Sequence, residues 1–113
     1  MNCIFCKIAN KEIPSQAVFE NENVLAFRDL NPQAPVHILV IPKKHISSIN
    51  EINSENSFIV SEIFQAINQI VDNEKIKESG YRVISNCGDD GCQSVQHLHF
   101  HILGGKKLSE TLS

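Results

Sequence analysis

The sequence predicts an antiparallel α+β fold. Three observations carry that expectation. Val36-His37-Ile38-Leu39-Val40-Ile41 is nearly all apolar and rich in β-branched residues, as a central strand should be. A long amphipathic stretch stands between two sets of short strand-like runs, which favours α+β over a repeating βαβ pattern. The run His97-Leu98-His99-Phe100-His101-Ile102-Leu103 alternates strictly between imidazole and apolar side chains, the period of a strand.

The elements follow in order. Residues 2–10 read as a short helix or turn, broken at Ile13-Pro14-Ser15. Ala17–Glu20 and Val24–Arg28 read as a hairpin about a turn at Glu22-Asn23. Asp29–Pro35 is a loop stiffened by Pro32 and Pro35, and Val36–Ile41 is the central strand, ended by Pro42. Ser54 is a plausible N-cap for a helix to about Asn73, whose apolar face is Ile59, Ile63, Ile67, Ile70 and Val71. Gly80 opens a strand over Tyr81–Asn86. The glycine-containing loop Gly88–Gly91 leads into the histidine strand, which stops at Gly104-Gly105.

Composition narrows the function. The 113 residues suggest one domain over 1–113, and 42% hydrophobic content is ordinary for a globular chain. A net charge of −3 disfavours a sequence-independent nucleic-acid binder but leaves small nucleotides open. No stretch approaches the roughly 18 apolar residues of a membrane span, and no secretory leader is evident. The expected location is cytoplasmic, where the four cysteines are reduced thiols or metal ligands rather than disulfides.

The chemistry concentrates on the histidine run. A strand would set His97, His99 and His101 on one face, and imidazole can attack phosphorus, move protons or bind metal near neutral pH. Ser94 is near enough in sequence to reach that face. Cys3-x-x-Cys6 could be a redox pair, half of a zinc site completed by His45 and His97 or by Cys87 and Cys92, or two buried thiols. The loop Asn86–Gly91 could cradle phosphate with backbone N–H groups, although it is also an ordinary turn. Asp29, just past a strand, could accept ribose hydroxyls.

Gln93-Ser94-Val95-Gln96-His97-Leu98-His99-Phe100-His101-Ile102-Leu103-Gly104-Gly105 resembles the signature of the histidine triad family, most closely its Hint branch of nucleoside phosphoramidases. The resemblance continues through Ile4-Phe5-x-Lys7-Ile8, Glu12-Ile13-Pro14, Leu25-Ala26-Phe27-x-Asp29, Pro32–Pro35, His37 and Val40–Ile46. It implies a five-stranded antiparallel sheet with two helices, dimerising into a continuous ten-stranded sheet. It implies hydrolysis of purine nucleoside phosphoramidates through a nucleotidyl-histidine. His99 would be the nucleophile, His101 would contact phosphate, His37 would support the nucleophile and Ser94 would sit near the leaving group. Asn86 would lie near the phosphate, with Cys92 and Gln93 supplying backbone contacts. Asp29 would bind ribose, and Phe5, Phe27 and Leu30 would line the purine pocket. Relatives with a Cys-x-x-Cys motif imply a closed structural zinc site at Cys3, Cys6, His45 and His97, with no organic cofactor.

The chain departs from that pattern at Cys92, where glycine is usual, and at Gln96, where tyrosine is common. Ending at Ser113, it would also lack a longer C-terminal tail. Other branches imply dinucleoside polyphosphate hydrolysis or nucleotidyl transfer. A zinc-stabilised nucleotide-binding regulator with little activity is the non-enzymatic alternative.

Overall fold

The computed structural model describes residues 3–112. Five strands form one antiparallel sheet: β1 (Ala17–Glu20), β2 (Val24–Arg28), β3 (Val36–Pro42), β4 (Tyr81–Ile84) and β5 (Phe100–Gly104). Their order is β1-β2-β3-β5-β4, so β3 is central and β1 and β4 are edges. The helices are α1 (Ile4–Ala9) and α2 (Phe58–Asn73), with a 3₁₀ turn at Ile49–Glu51. Two helices and an antiparallel five-stranded sheet are the architecture the resemblance implied.

The sheet has two different faces because successive side chains alternate. Ile38 and Val40 of β3, with Phe100 and Ile102 of β5, pack against Ile59, Ile63, Ile67 and Ile70 of α2. Leu39 and Ile41 point the other way and join Leu25, Phe27, Phe5 and Ile8 in a second cluster under α1. The two clusters follow directly from period two in the strands and period 3.6 in α2. The Arg28 guanidinium donates to Glu74 at 3.0 Å and ties β2 to the end of α2.

Several boundaries differ from the sequence expectation. Residues 54–57 form turns and α2 begins at Phe58. Asn53 takes the role expected of Ser54, its side-chain oxygen accepting from the N–H groups of Glu55 and Asn56. Asn21 nucleates the hairpin turn, accepting from the N–H groups of Asn23 and Val24. Asn2, included in the expected N-terminal turn, lies outside the described residues. The helix there is only six residues long, too short to stand alone, and is anchored by buried Phe5 and Ile8.

The largest correction concerns the histidine strand. The alternation predicts a strand over the whole run from His97, yet β5 starts at Phe100, so His97 and His99 precede the ladder. The cause is at Pro42. Proline has no N–H to continue the pairing, and its carbonyl accepts from the imidazole of His97 at 2.8 Å. The alternation nevertheless persists, because Leu98 N–H donates to Ile46 O and Leu98 is fully buried in the α2-side core. β4 also ends early, at Ile84 rather than Asn86. The Ser85 hydroxyl donates to the His99 carbonyl at 2.9 Å in place of a ladder bond.

Ile63→Ala should lower the free energy of unfolding by about 2–5 kcal/mol, since Ile63 is fully buried between α2 and the sheet. Gln69→Ala on the exposed side of α2 should change it by less than about 0.5 kcal/mol. Urea titrations of both variants measure the contrast, and equal effects would contradict this packing.

Candidate active site and metal centre

The site lies on the sheet face beneath α1. β3 pairs with β5 so that Leu39 stands opposite His101 and His37 opposite Leu103. His37 and His101 are therefore diagonal neighbours on one face, and His37 Nε2 lies 2.9 Å from His101 Nδ1. Direct contact of His37 is with His101 rather than with His99. His99 sits one step before the strand, its ring 5.2 Å from that of His101.

Backbone groups decide which ring nitrogens carry protons. His99 Nδ1–H donates to the His97 carbonyl at 2.7 Å. The remaining nitrogen, Nε2, is then the lone-pair atom. His99 is only 3% exposed, yet no buried side-chain nitrogen or oxygen among the described residues lacks a hydrogen-bond partner. His99 Nε2 makes no such bond, so it must reach solvent. A buried ring with one open lone pair has the form of a positioned nucleophile.

His37 is fixed from the other side. The Gln33 N–H donates to His37 Nδ1 at 2.9 Å, and Asp29 Oδ2 lies 3.5 Å from His37 Nε2. Asp29 Oδ1 accepts from Asn31 N–H at 2.7 Å, closing the turn that carries Leu30. Burial lowers the affinity of His37 for a proton, partly opposed by Asp29. Burial, then the neighbouring His99 and His37, depresses His101 to about 4, again opposed by Asp29. Burial thus favours the neutral form of both rings.

Phe5 is wedged edge-on against Phe27, His97 and His99, with ring centres 5.7, 5.9 and 5.1 Å away. It and Phe27 are buried, whereas Leu30 is 98% exposed at the tip of its turn. Ser94 and Cys92 are exposed and Asn86 is half-buried. Asn86 lies two residues past the end of β4, next to Ser85, whose hydroxyl donates to the His99 carbonyl. Cys92 has φ 60°, the left-handed conformation that glycine adopts without strain.

Gln93 holds the loop. Its side-chain oxygen accepts from Gly88 N–H at 3.0 Å, and its amide donates to Ser47 O at 2.7 Å and Val95 O at 3.0 Å. Sequence reasoning missed the roles of Gln33, Ser85 and the Pro42 carbonyl. No sequence signal marks them, because each acts through a contact set by the fold.

A second group adjoins the first. One ligand atom from each of Cys3, Cys6, His45 and His97 lies within 4.8 Å of all the others. Cys3 Sγ is 3.4 Å from His97 Nδ1, Cys6 Sγ is 3.3 Å from His45 Nδ1, and Cys6 Sγ is 3.5 Å from His97 Nδ1. A tetrahedral zinc with bonds of about 2.3 Å to sulfur and about 2.05 Å to nitrogen sets such pairs about 3.6 Å apart. The donor set and spacing fit that ion. Burial, reinforced by the Cys3 thiol, pushes the Cys6 thiol up to about 11. A pair of thiolates there needs a cation against it. The all-cysteine alternative gains no support, as Cys87 and Cys92 belong to neither metal-capable group among the described residues.

A family model described as "Scavenger mRNA decapping enzyme C-term binding" matches residues 2–112. The chain is 42% identical over 110 residues to a protein of Escherichia coli (strain K12) named purine nucleoside phosphoramidase, covering 97% of this chain and 92% of that one. It is 47% identical over 107 residues to a protein of Zea mays named 14 kDa zinc-binding protein, covering 94% and 84%. The solved structure of a histidine triad protein from Clostridium difficile superposes with a TM-score of 0.96 at 57% identity, covering 98% and 96%.

Histidines held neutral in the folded state make folding pH-dependent. His37 and His101 bind protons less readily folded than unfolded, and the ordinary value is 6.5. Between pH 6.5 and about 4 the unfolded chain holds more protons, so stability falls as pH falls. Urea midpoints should decline from pH 6.5 to pH 5, above the main carboxylate range, and His101→Gln should flatten that decline. A midpoint that rises over this interval would contradict the neutral assignment.

Proposed function

This chain belongs to the histidine triad family, and we propose that it hydrolyses the P–N bond of purine nucleoside 5′-phosphoramidates through a covalent nucleotidyl-histidine. The observation that carries the reading is the bond from His99 Nδ1–H to the His97 carbonyl, which leaves Nε2 as an open lone pair. His99 Nε2 attacks the α-phosphorus, the P–N bond breaks, and the nitrogen takes a proton from solvent to leave as the free amine. As the ring becomes cationic, the His97 carbonyl stabilises the Nδ1–H. Water then attacks phosphorus, releases the nucleoside monophosphate and regenerates neutral His99.

His101 donates through Nε2–H to a phosphate oxygen, and Asn86 and the backbone at Cys92 and Gln93 lie along the same phosphate. Ser94 stands by the departing amine. Asp29 accepts from the ribose hydroxyls, and Leu30, exposed at its turn tip, closes on the purine with Phe27 and Phe5 beneath.

Zinc, held by Cys3, Cys6, His45 and His97, is structural, since a closed four-ligand site has no open position for substrate. Those ligands fasten α1 to the segment before β5. His97 uses Nδ1 toward the metal position and gives Nε2–H to Pro42 O, the outer-shell bond expected of a histidine ligand.

The working unit is a homodimer. β4 is an edge strand, and Tyr81, Val83 and Phe64 expose apolar surface beside a groove of about 390 Å³ between β4 and α2. An unpaired edge with an apolar flank is a surface that proteins ordinarily cover.

His99→Ala should lower AMP release from an adenosine phosphoramidate by at least about a thousandfold. Nucleotide binding without turnover by the wild type would reject the hydrolase reading in favour of a regulator. Metal analysis of protein prepared with zinc present should give one zinc per chain, lost in Cys3→Ser/Cys6→Ser. Val83→Arg should shift light-scattering mass from two chains toward one, and a wild-type monomer would refute the dimer.

A further inference from the structure

Two groups of side chains among the described residues could hold a metal ion: the Cys3, Cys6, His45, His97 set and the Asp29, His37, His101 set. The second is two imidazoles and a carboxylate, ordinary ligands for a divalent transition metal. The two differ in the backbone group that grips one histidine of each, His97 in the first and His37 in the second. We propose that the backbone N–H of Gln33 is a tautomer lock, which fixes His101 as an Nε2–H donor and closes the Asp29, His37, His101 set to divalent metal.

An amide N–H can only donate. The Gln33 N–H occupies the Nδ1 lone pair of His37 at 2.9 Å, so the single proton of the neutral ring must sit on Nε2. That proton points at His101 Nδ1, 2.9 Å away, which must accept it. The proton of His101 is therefore on Nε2, the atom left for a ligand. One amide thus orients two rings in series, and burial keeps both neutral.

The same bond opposes metal. The nitrogens of this set that approach each other are His37 Nε2 and His101 Nδ1, with Asp29 Oδ2 3.5 Å from the former. A cation ligated by His37 Nε2 would have to displace its proton. The proton cannot move to Nδ1 while the Gln33 N–H points there, so the ring would become an imidazolate or the Gln33 donor would lose its acceptor. Either outcome costs the site something it already has: an imidazolate would carry negative charge beside the Asp29 carboxylate, and the Gln33 N–H would give up its acceptor.

His97 is gripped in the opposite sense. The Pro42 carbonyl can only accept, so it draws the proton to Nε2 and strips Nδ1, the atom facing Cys3 and Cys6. A carbonyl prepares one histidine for metal and an amide withholds the other from it. The consequence for turnover rests on the hydrolase reading, whereas the tautomers and the metal count do not.

Long-range ¹H–¹⁵N spectra of the uniformly labelled full chain at pH 7 read the ring protons directly. His37 and His101 should both appear as Nε2–H tautomers, unmoved when zinc is added beyond one equivalent. Gln33→Pro removes the N–H, whereas Gln33→Ala keeps it. Gln33→Pro should admit an Nδ1–H form of His37 and raise bound zinc from one to two equivalents per chain, with Gln33→Ala matching wild type. A wild-type His37 carrying Nδ1–H, a second wild-type zinc that shifts His37 and His101, or a Gln33→Pro protein identical to wild type would each overturn the lock. If Gln33→Pro fails to fold, the wild-type tautomers decide alone. Activity separates the two ideas: inactive wild type with intact tautomers would sink the hydrolase reading and leave the lock standing.

Discussion

Pairing of β3 with β5 is the constraint on which the rest of this structure depends. It sets Ile38 opposite Ile102 toward α2, and Leu39 opposite His101 on the far face. A slip of one residue would reverse every side chain, sending the histidines into the α2 core and the isoleucines to the pocket. The register is held by burial on both faces: Ile38, Val40 and Ile102 are fully buried on one side, and Leu39 and His37 are nearly so on the other. Site geometry and core packing are therefore the same fact seen from two sides of one sheet.

The site uses backbone polarity to give chemically identical side chains different properties. His99 and His97 each donate to a carbonyl, of His97 and Pro42 respectively, but through opposite ring nitrogens. His37 receives an amide N–H instead. These bonds are individually modest, about 0.5–1.5 kcal/mol net. Their effect on function is larger than their effect on stability, because a neutral imidazole has one proton and one lone pair, and the bond decides which faces the ligand.

Surface charge contributes less. Glu20 is gripped by Lys11 and Lys43, both at 2.7 Å, and its carboxyl falls to about 2. The pairs lie at the surface and are screened, so they add little to stability; Lys11 ties the N-terminal loop, and Lys43 the end of β3, to the end of β1. Loop 86–93 owes its shape to Gln93, whose three side-chain bonds bind Gly88, Ser47 and Val95 together. Gly91 has no room for a side chain there: an added Cβ would lie 2.5 Å from Cys87 O.

Residue order alone was enough to read the elements and the faces they bury. Period two in the strands and the isoleucine spacing of α2 depend on local geometry, and so they were legible without contacts. The histidine alternation and the Cys-x-x-Cys motif likewise marked the residues that the fold gathers. Where β5 begins, which residue caps the turn before α2, and which ring nitrogen of His37, His97 and His99 carries the proton depend on the folded chain. Those outcomes turn on partners distant in sequence, such as Pro42 for His97, or on loop geometry, as with Gln33 for His37. A hydrogen bond to a backbone carbonyl or amide leaves no trace in residue type, because every residue has a carbonyl and nearly every residue an N–H.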